Sequence, residues 1–168
     1  MKKLIFLSGQ ASCGKTTTLK MLIAMLLDLK NPHTVSVIYP TNCARMNILL
    51  TAWQNNSKMP DGEFSAVLQI DGVIVGIKTM GDTIGSVWDS VAFFEKHGCD
   101  IGVLACHEEH LQRSGNCLTS GWLYEIITKE RTEASSLINQ ENKDMAKKLF
   151  DNIMDAVDQI KQSLPTAN

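Results

Sequence analysis

Short apolar runs alternate along the chain with longer segments whose apolar residues recur every three or four positions. The short runs predict six strands: Lys2 to Phe6, Val35 to Tyr39, Phe64 to Ile70, Val73 to Met80, Asp100 to Cys106 and Trp122 to Thr128. The helical spacing predicts helices that begin near Lys15, at Cys43, at Ser86 and at Leu137. Strands that alternate with helices are typical of a mostly parallel sheet. We therefore expect an α/β fold, a three-layer α/β/α sandwich.

One dipeptide refines the expected sheet. Asp71-Gly72 separates two strand-like runs, and a type I′ hairpin turn needs positive φ at both of its central positions. The sequence therefore predicts one antiparallel hairpin strand in the mostly parallel sheet. We expect the polar stretch from His107 to Gly121 to be a loop. We expect the long amphipathic helix from Leu137 onward to cover one side of the sheet, with a coiled coil or partner helix as the alternative.

Length and composition limit the classes of function. The chain has 168 residues, which fits one domain over 1–168, and its net charge of -2 gives no strong signal for nucleic acid or an anionic membrane. Its five cysteines form no Cys-x-x-Cys pair, which favours reduced thiols. The apolar run from Met1 to Leu7 is too short for a signal peptide. We predict a cytoplasmic protein.

The most specific pattern follows the first strand. The segment Gly9 to Thr16 reads G-x-x-x-x-G-K-[ST], and a helix follows it directly, which is the order of a phosphate-binding P-loop (Walker A motif). Lys15 is expected to reach the β- and γ-phosphates, and the Thr16 hydroxyl to bind Mg²⁺. The motif predicts nucleotide-binding residues at Gly9, Gln10, Ala11, Ser12, Cys13, Gly14, Lys15, Thr16 and Thr17.

Three of these residues carry further expectations. Gly9 should let the chain turn sharply, and Gly14 should let the backbone approach the phosphates closely. Cys13 lies beside Lys15 and a helix N-terminus, both of which favour a thiolate. A redox-sensitive nucleotide site is one interpretation of Cys13, and a small residue at a tolerant position is the other.

A P-loop also needs a carboxylate to hold magnesium, usually through water, from the end of a neighbouring strand. Asp82 is the candidate, because it follows the strand-like run from Val73 and lies between Gly81 and Thr83. The alternative is that Asp82 only caps a helix or forms a turn.

The hairpin and the segment Gly81-Asp82-Thr83-x-Gly85 resemble the second and third strands and the Asp-x-x-Gly switch of small GTPases. The chain is also similar to small P-loop kinases, in which an acidic residue ends the strand beside the P-loop strand. Together these features resemble the kinase–GTPase branch of P-loop NTPases over the first half of the chain. The resemblance implies a P-loop NTPase fold and binding of a nucleoside triphosphate with Mg²⁺.

The guanine-reading motif of GTPases, Asn-Lys-x-Asp, is missing where the resemblance would place it. The strand from Ile101 runs into His107-Glu108-Glu109-His110, and Asn142-Lys143-Asp144-Met145 lacks the final Asp. ATP, or a relaxed choice of base, is therefore favoured over GTP.

The stretch after Cys106 allows two interpretations. Cys106, His107, His110 and Cys117 suggest zinc, although the paired-ligand spacing of zinc sites is absent. We favour an active-site loop in which Arg113 stabilises the transferring phosphoryl group, with a surface salt bridge as the alternative role of Arg113.

The sequence thus predicts an ATP–Mg²⁺-binding protein that transfers a phosphoryl group to an unidentified small-molecule acceptor. The predicted catalytic residues are Lys15, Asp82 and Arg113, and the predicted metal ligands are Thr16 and Asp82. The alternatives are a nucleotide-gated switch or slow NTPase that acts through a protein partner, and a module that only binds nucleotide. The oligomeric state is left open.

Overall fold

The computed structural model describes residues 1–114 and 121–163, except for the side chains of 112–114. The described strands are β1 Lys3–Ser8, β2 Val35–Tyr39, β3 Ser65–Ile70, β4 Val73–Lys78, β5 Ile101–Cys106 and β6 Leu123–Thr128. The described helices are α1 Lys15–Leu27, α2 Ala44–Gln54, α3 Ile84–Lys96, α4 Glu108–Ser114 and α5 Ser135–Ser163. All six predicted strands and all four predicted helices are present, with ends that differ by a few residues.

The strands form one mixed sheet in the order β2-β3-β4-β5-β1-β6. β3 is antiparallel to both of its neighbours, and the pairs β4–β5, β5–β1 and β1–β6 are parallel. Asp71 and Gly72 both have positive φ, at 49° and 89°, in the turn between β3 and β4. The prediction of a mostly parallel sheet with one antiparallel hairpin strand is therefore confirmed.

Helices pack on both faces of the sheet because successive side chains of a strand point to opposite faces. On β1, Ile5 and Leu7 join the apolar cluster that contains residues of α1, α2 and α5. Leu4 and Phe6 join a second cluster, which contains residues of α3. The central strand β5 is buried throughout, whereas the edge strand β6 is largely exposed.

Helix α4 corrects the prediction of a loop from His107 to Gly121. Its first turn carries Glu108 and Glu109, and negative side chains stabilise the positive end of a helix. Only Leu111 of its described side chains packs against the core, so this short helix leaves no apolar stripe in the sequence. The hydrophobic pattern alone therefore missed it.

Helix α5 confirms the predicted amphipathic helix. Its core-facing residues pack against α1, and they include Ala146, Leu149, Ile153, Val157 and Ile160. Leu137 and Ile138, which also belong to the predicted apolar face, are exposed. Among the described helices, none combines the length and the apolar character needed to cross a bilayer.

Candidate functional site

The segment between β1 and α1 forms a curved loop that ends at the N-terminus of α1. Gly14 occupies the N-cap position with φ 87° and ψ 18°, and Ser12 also has positive φ, at 58°. The backbone amide of Thr18 donates to the carbonyl of Gly14 at 2.9 Å, which begins the helix. Left-handed backbone at these two positions curls the chain around the side chain of Lys15.

The Lys15 ammonium lies inside this loop. The side chain is buried, with 7% of Lys15 exposed, and Nζ donates to the carbonyls of Gly9 at 2.8 Å and Gln10 at 2.7 Å. Among the described residues, no carboxylate pairs with it. The Sγ of Cys13 is a third neighbour of Nζ, at 3.8 Å. A buried ammonium that lacks a carboxylate partner keeps a positive charge that an anion in the loop would compensate.

The two glycines of the motif are required by neighbouring atoms. A Cβ on Gly9 would lie 2.5 Å from the carbonyl oxygen of Lys129, which follows β6. A Cβ on Gly14 would lie 2.4 Å from Oδ1 of Asn142 on α5. Both glycines thus allow other elements to pack against the loop from behind, in addition to the roles that the sequence predicted for them.

Asn142 is a contact of the loop that the sequence reasoning missed. Its side chain is buried, and Oδ1 lies 3.4 Å from the Thr18 hydroxyl, which donates to the carbonyl of Gly14 at 2.8 Å. In the sequence, Asn142 stands out only as part of an incomplete guanine motif. One feature of the sequence could have identified Asn142: it is a polar residue in the apolar stripe of α5, one turn before Ala146.

The loop borders a cavity of about 380 Å³ that is also lined by residues following β4 and β5. Its lining includes residues from Ala11 to Thr17, together with Thr79, Asp82 and His107. Because β4 and β5 are parallel to β1, their carboxyl ends reach the same edge of the sheet as the loop. Thr16 and Asp82, the two predicted metal ligands, therefore face one cavity.

Asp82 has an exposed carboxylate that lies near one histidine and a backbone carbonyl that lies near another. The side chain is 80% exposed, and Oδ1 lies 3.5 Å from Nε2 of His107. Nε2 of His110 lies 3.1 Å from the backbone carbonyl of Asp82. The N-cap of α3 is Thr83, which shares a capping box with Ser86, so the alternative interpretation of Asp82 as the helix cap is wrong.

The place of Asp82 in the sheet differs from the resemblance to P-loop kinases. β5 lies between β4 and β1, so the strand beside β1 on that side ends at Cys106 and leads into His107. Asp82 comes from the next strand outward. It still lines the cavity because the backbone at Gly81 packs directly against Ala105 of β5. A Cβ on Gly81 would clash with the Ala105 carbonyl, so this close approach requires a glycine.

The described residues offer few groups that could hold a metal ion. Among them, no cluster of three or more His, Cys, Asp or Glu side chains could do so, and Cys117 of the zinc alternative lies outside the described part of the chain. Burial raises the pKa of the Cys106 thiol to about 12, so this thiol is protonated at neutral pH. A hydroxyl and one carboxylate on a shared cavity fit Mg²⁺, which keeps several waters and binds phosphate oxygens.

Two further predicted residues, Cys13 and Arg113, differ in what the structure shows of them. Cys13 is 5% exposed and its Sγ lies 3.8 Å from Nζ of Lys15, so the two groups are neighbours inside the loop. Arg113 falls within α4, and its side chain lies outside the described residues. The described cysteines Cys13, Cys43, Cys99 and Cys106 are free thiols.

Comparison of the chain with protein-family models, with curated proteins and with solved structures finds no match. The residues and geometry of this chain are therefore the basis on which a function can be proposed.

Proposed function

We propose that this protein binds a nucleoside triphosphate with Mg²⁺ in the loop from Gly9 to Thr16, with ATP as the favoured nucleotide. The observation that carries the proposal is the buried Lys15 ammonium, held by two loop carbonyls at 2.8 and 2.7 Å without a carboxylate partner among the described residues. It lies at the N-terminus of α1, where backbone N–H groups and the helix dipole favour anions. Phosphate oxygens are the ligands that suit this combination.

The same arrangement supports phosphoryl transfer to a small acceptor. Lys15 would stabilise charge on the phosphates, and Mg²⁺ held by Thr16 and Asp82 would neutralise charge that develops during transfer. Asp82 and His107 line the side of the cavity away from β6, where an acceptor could approach. The role of Arg113 in closing the site stays a prediction from the sequence.

A nucleotide-gated switch or slow NTPase is the second candidate. The observation that favours it is the contact of Asp82 with His107 and with His110 of α4, at 3.5 and 3.1 Å. A change at Asp82 caused by the terminal phosphate would be transmitted to α4 through these histidines, and a protein partner could detect it.

The test is incubation with γ-labelled ATP and Mg²⁺, with and without a panel of nucleosides, nucleotides and metabolites. Label that moves to an acceptor supports transfer, and acceptor-independent release of phosphate supports the switch or NTPase. Both activities should be lost in Lys15→Ala and kept in Lys58→Ala, whose lysine is 86% exposed. Full activity in Lys15→Ala would refute the proposal.

A further inference from the structure

The two edge strands of the sheet differ in how they are protected against pairing with another strand. β2, at one edge, has a register shift between Val37 and Tyr39 in its pairing with β3, and Pro40 follows its last residue. Bulges and prolines are common means by which proteins block edge-to-edge association. β6, at the other edge, pairs with β1 over its whole length without a shift, and it contains no proline or lysine. Among the described residues, no strand pairs with the outer side of β6.

The outer side of β6 presents main-chain groups at alternate residues. The amide of Leu123 donates to the carbonyl of Lys2 at 2.9 Å, and the amide of Lys129 donates to the carbonyl of Ser8 at 2.7 Å. Because a strand directs these groups to its two sides in turn, the odd-numbered residues of β6 bond to β1. The outward-pointing N–H and C=O groups therefore belong to the even-numbered residues, which are Tyr124, Ile126 and Thr128.

The side chains of the same three residues are also exposed. They lie on the face of the sheet that carries Phe6, whose ring packs edge-on against that of Tyr124 with the centroids 6.5 Å apart. Tyr124 is 52% exposed and Ile126 is 46% exposed, so two large apolar side chains lie beside an unpaired strand edge. An exposed apolar edge strand is a template for pairing with another chain.

Glu125, the one charged residue within β6, is neutralised inside its own chain. Its Oε2 lies 2.8 Å from Nζ of Lys3, and its Oε1 accepts a hydrogen bond from the side-chain amide of Asn152 on α5 at 3.1 Å. Both carboxylate oxygens are thus engaged on the face opposite Tyr124 and Ile126. The free edge therefore presents main-chain groups and apolar side chains without an unpaired charge.

We infer that β6 pairs antiparallel with the β6 strand of a second copy of this chain, about a twofold axis at Ile126. In this register the two Ile126 residues face each other and exchange both main-chain hydrogen bonds, and each Tyr124 faces the Thr128 of the other copy. Glu125 faces Ile127, whereas an axis at Glu125 would oppose two carboxylates. Since the axis is perpendicular to the sheet, the exposed side chains of both copies lie on the same face and cover each other.

The match of this strand to itself favours a second copy over an unrelated strand. Read in the opposite direction, the same sequence supplies a partner for every outward main-chain group of β6. It also supplies aromatic and β-branched cross-strand partners, which are favourable pairs in sheets. The two phosphate-binding loops would lie at opposite edges of the joined sheet, because the paired strands run in opposite directions. The inference therefore does not depend on the proposed function.

Sedimentation equilibrium over about 1–500 µM protein measures the association. A single pair of short strands makes a small interface, so we expect a dissociation constant on the order of 10–100 µM. Ile126→Lys should weaken dimerisation at least about tenfold, because it opposes two ammonium groups and removes apolar contact. Ile48→Lys is the matched control on α2, where the isoleucine is 53% exposed, and it should dimerise like the unmodified protein.

A mixture of two variants tests the register. Ile126→Glu should be weakened like Ile126→Lys, and labelled Ile126→Lys mixed with unlabelled Ile126→Glu should form heterodimers, because opposite charges meet there only if residue 126 faces itself. Circular dichroism checks that the variants are folded. A protein that stays monomeric up to about 500 µM would overturn the inference. A dimer that Ile126→Lys leaves intact, or a mixture that forms no heterodimer, would overturn it as well.

Discussion

Two loops meet at the carboxyl edge of the sheet, and they are built differently. The loop from Gly9 to Gly14 is packed from behind by Lys129 and Asn142, and the lysine that follows it is buried. The Asp82 loop is fixed at Gly81, where the backbone presses against β5, but its carboxylate is 80% exposed. The part of the site that would hold the phosphates is thus fixed by backbone packing, whereas the part that would act on them is open to solvent.

The largest expected effect comes from filling the space behind the first loop. In Gly14→Ala, the new Cβ would stand on left-handed backbone and lie 2.4 Å from Asn142 Oδ1. We expect a loss of about 2–5 kcal/mol in the free energy of unfolding, the sum of the left-handed strain and the overpacking. Chemical denaturation measures the stability, and calorimetry should show ATP affinity falling at least about tenfold, since the loop must shift.

Gly98→Ala is the matched control, because Gly98 has φ 64° and no neighbouring atom lies within 4 Å of the position that its Cβ would take. It should lose only the strain contribution, about 1–2 kcal/mol, and keep its affinity for ATP. Adding Asn142→Gly to Gly14→Ala should restore part of the lost stability. Equal destabilisation by Gly14→Ala and Gly98→Ala would show that packing behind the loop is not what fixes it.

The second largest effect is expected at the Asp82 loop. Asp82→Asn removes the carboxylate and keeps its size, so turnover in saturating Mg²⁺–ATP should fall about 10–100-fold, as when an outer-sphere metal partner is lost. ATP affinity in EDTA should be unchanged or slightly higher, because a negative charge has been removed near the phosphates. Steady-state kinetics over a range of Mg²⁺ concentrations measures the effect.

Asp89→Asn, at an exposed position on α3, serves as the control for Asp82→Asn and should behave like the unmodified protein. If Asp82→Asn keeps its Mg²⁺ dependence and turnover, Asp82 is not a metal partner and the two loops do not form one site.

The smallest effect lies at the turn between β3 and β4, far from either loop. Hydrogen bonds from His33, from the backbone of Thr34 and from Lys161 hold the pKa of Asp71 well below its usual range. Because the folded-state pKa is below the unfolded value of about 3.9, this carboxylate stabilises the fold at every pH above about 4. That contribution is lost as the pH falls through the folded-state pKa.

We expect Asp71→Asn to lower the free energy of unfolding at pH 7 by about 1 kcal/mol and to leave ATP binding unchanged. Denaturation between about pH 7 and pH 2 should show a shallower acid loss of stability in the variant than in the unmodified protein. The same acid slope in both proteins would contradict the role given to Asp71, and weaker ATP binding would contradict its separation from the site.

Much of the fold could be predicted from the sequence because its signals are local. Asp71-Gly72 specifies a hairpin turn by backbone conformation alone, and the strands show as short apolar runs. Helix α4 could not be found in this way, since a short helix with one described core contact leaves no periodic pattern. The order of the strands also depends on pairings between distant segments, and no local pattern indicates that β5 lies between β4 and β1.

The candidate site also has one part that the local sequence predicts and another part that it does not. The residues from Gly9 to Thr16 are contiguous, so their spacing could be recognised directly. Asn142 and Lys129 contact that loop across more than 100 positions of sequence, and no local pattern marks them as its neighbours. His107 lies in a stretch that the sequence predicts as a loop, and only the parallel pairing of β5 with β1 brings it to the cavity.

The central claim is that the buried Lys15 ammonium binds the phosphates of a nucleotide, and calorimetric titration with Mg²⁺–ATP tests it most directly. Lys15→Met keeps most of the buried bulk and removes the charge, and Lys58→Ala is the exposed control. The account predicts saturable binding to the unmodified protein and to Lys58→Ala, and an affinity about a hundredfold lower in a folded Lys15→Met. Equal affinity in the three proteins, or no binding to any of them, would contradict it.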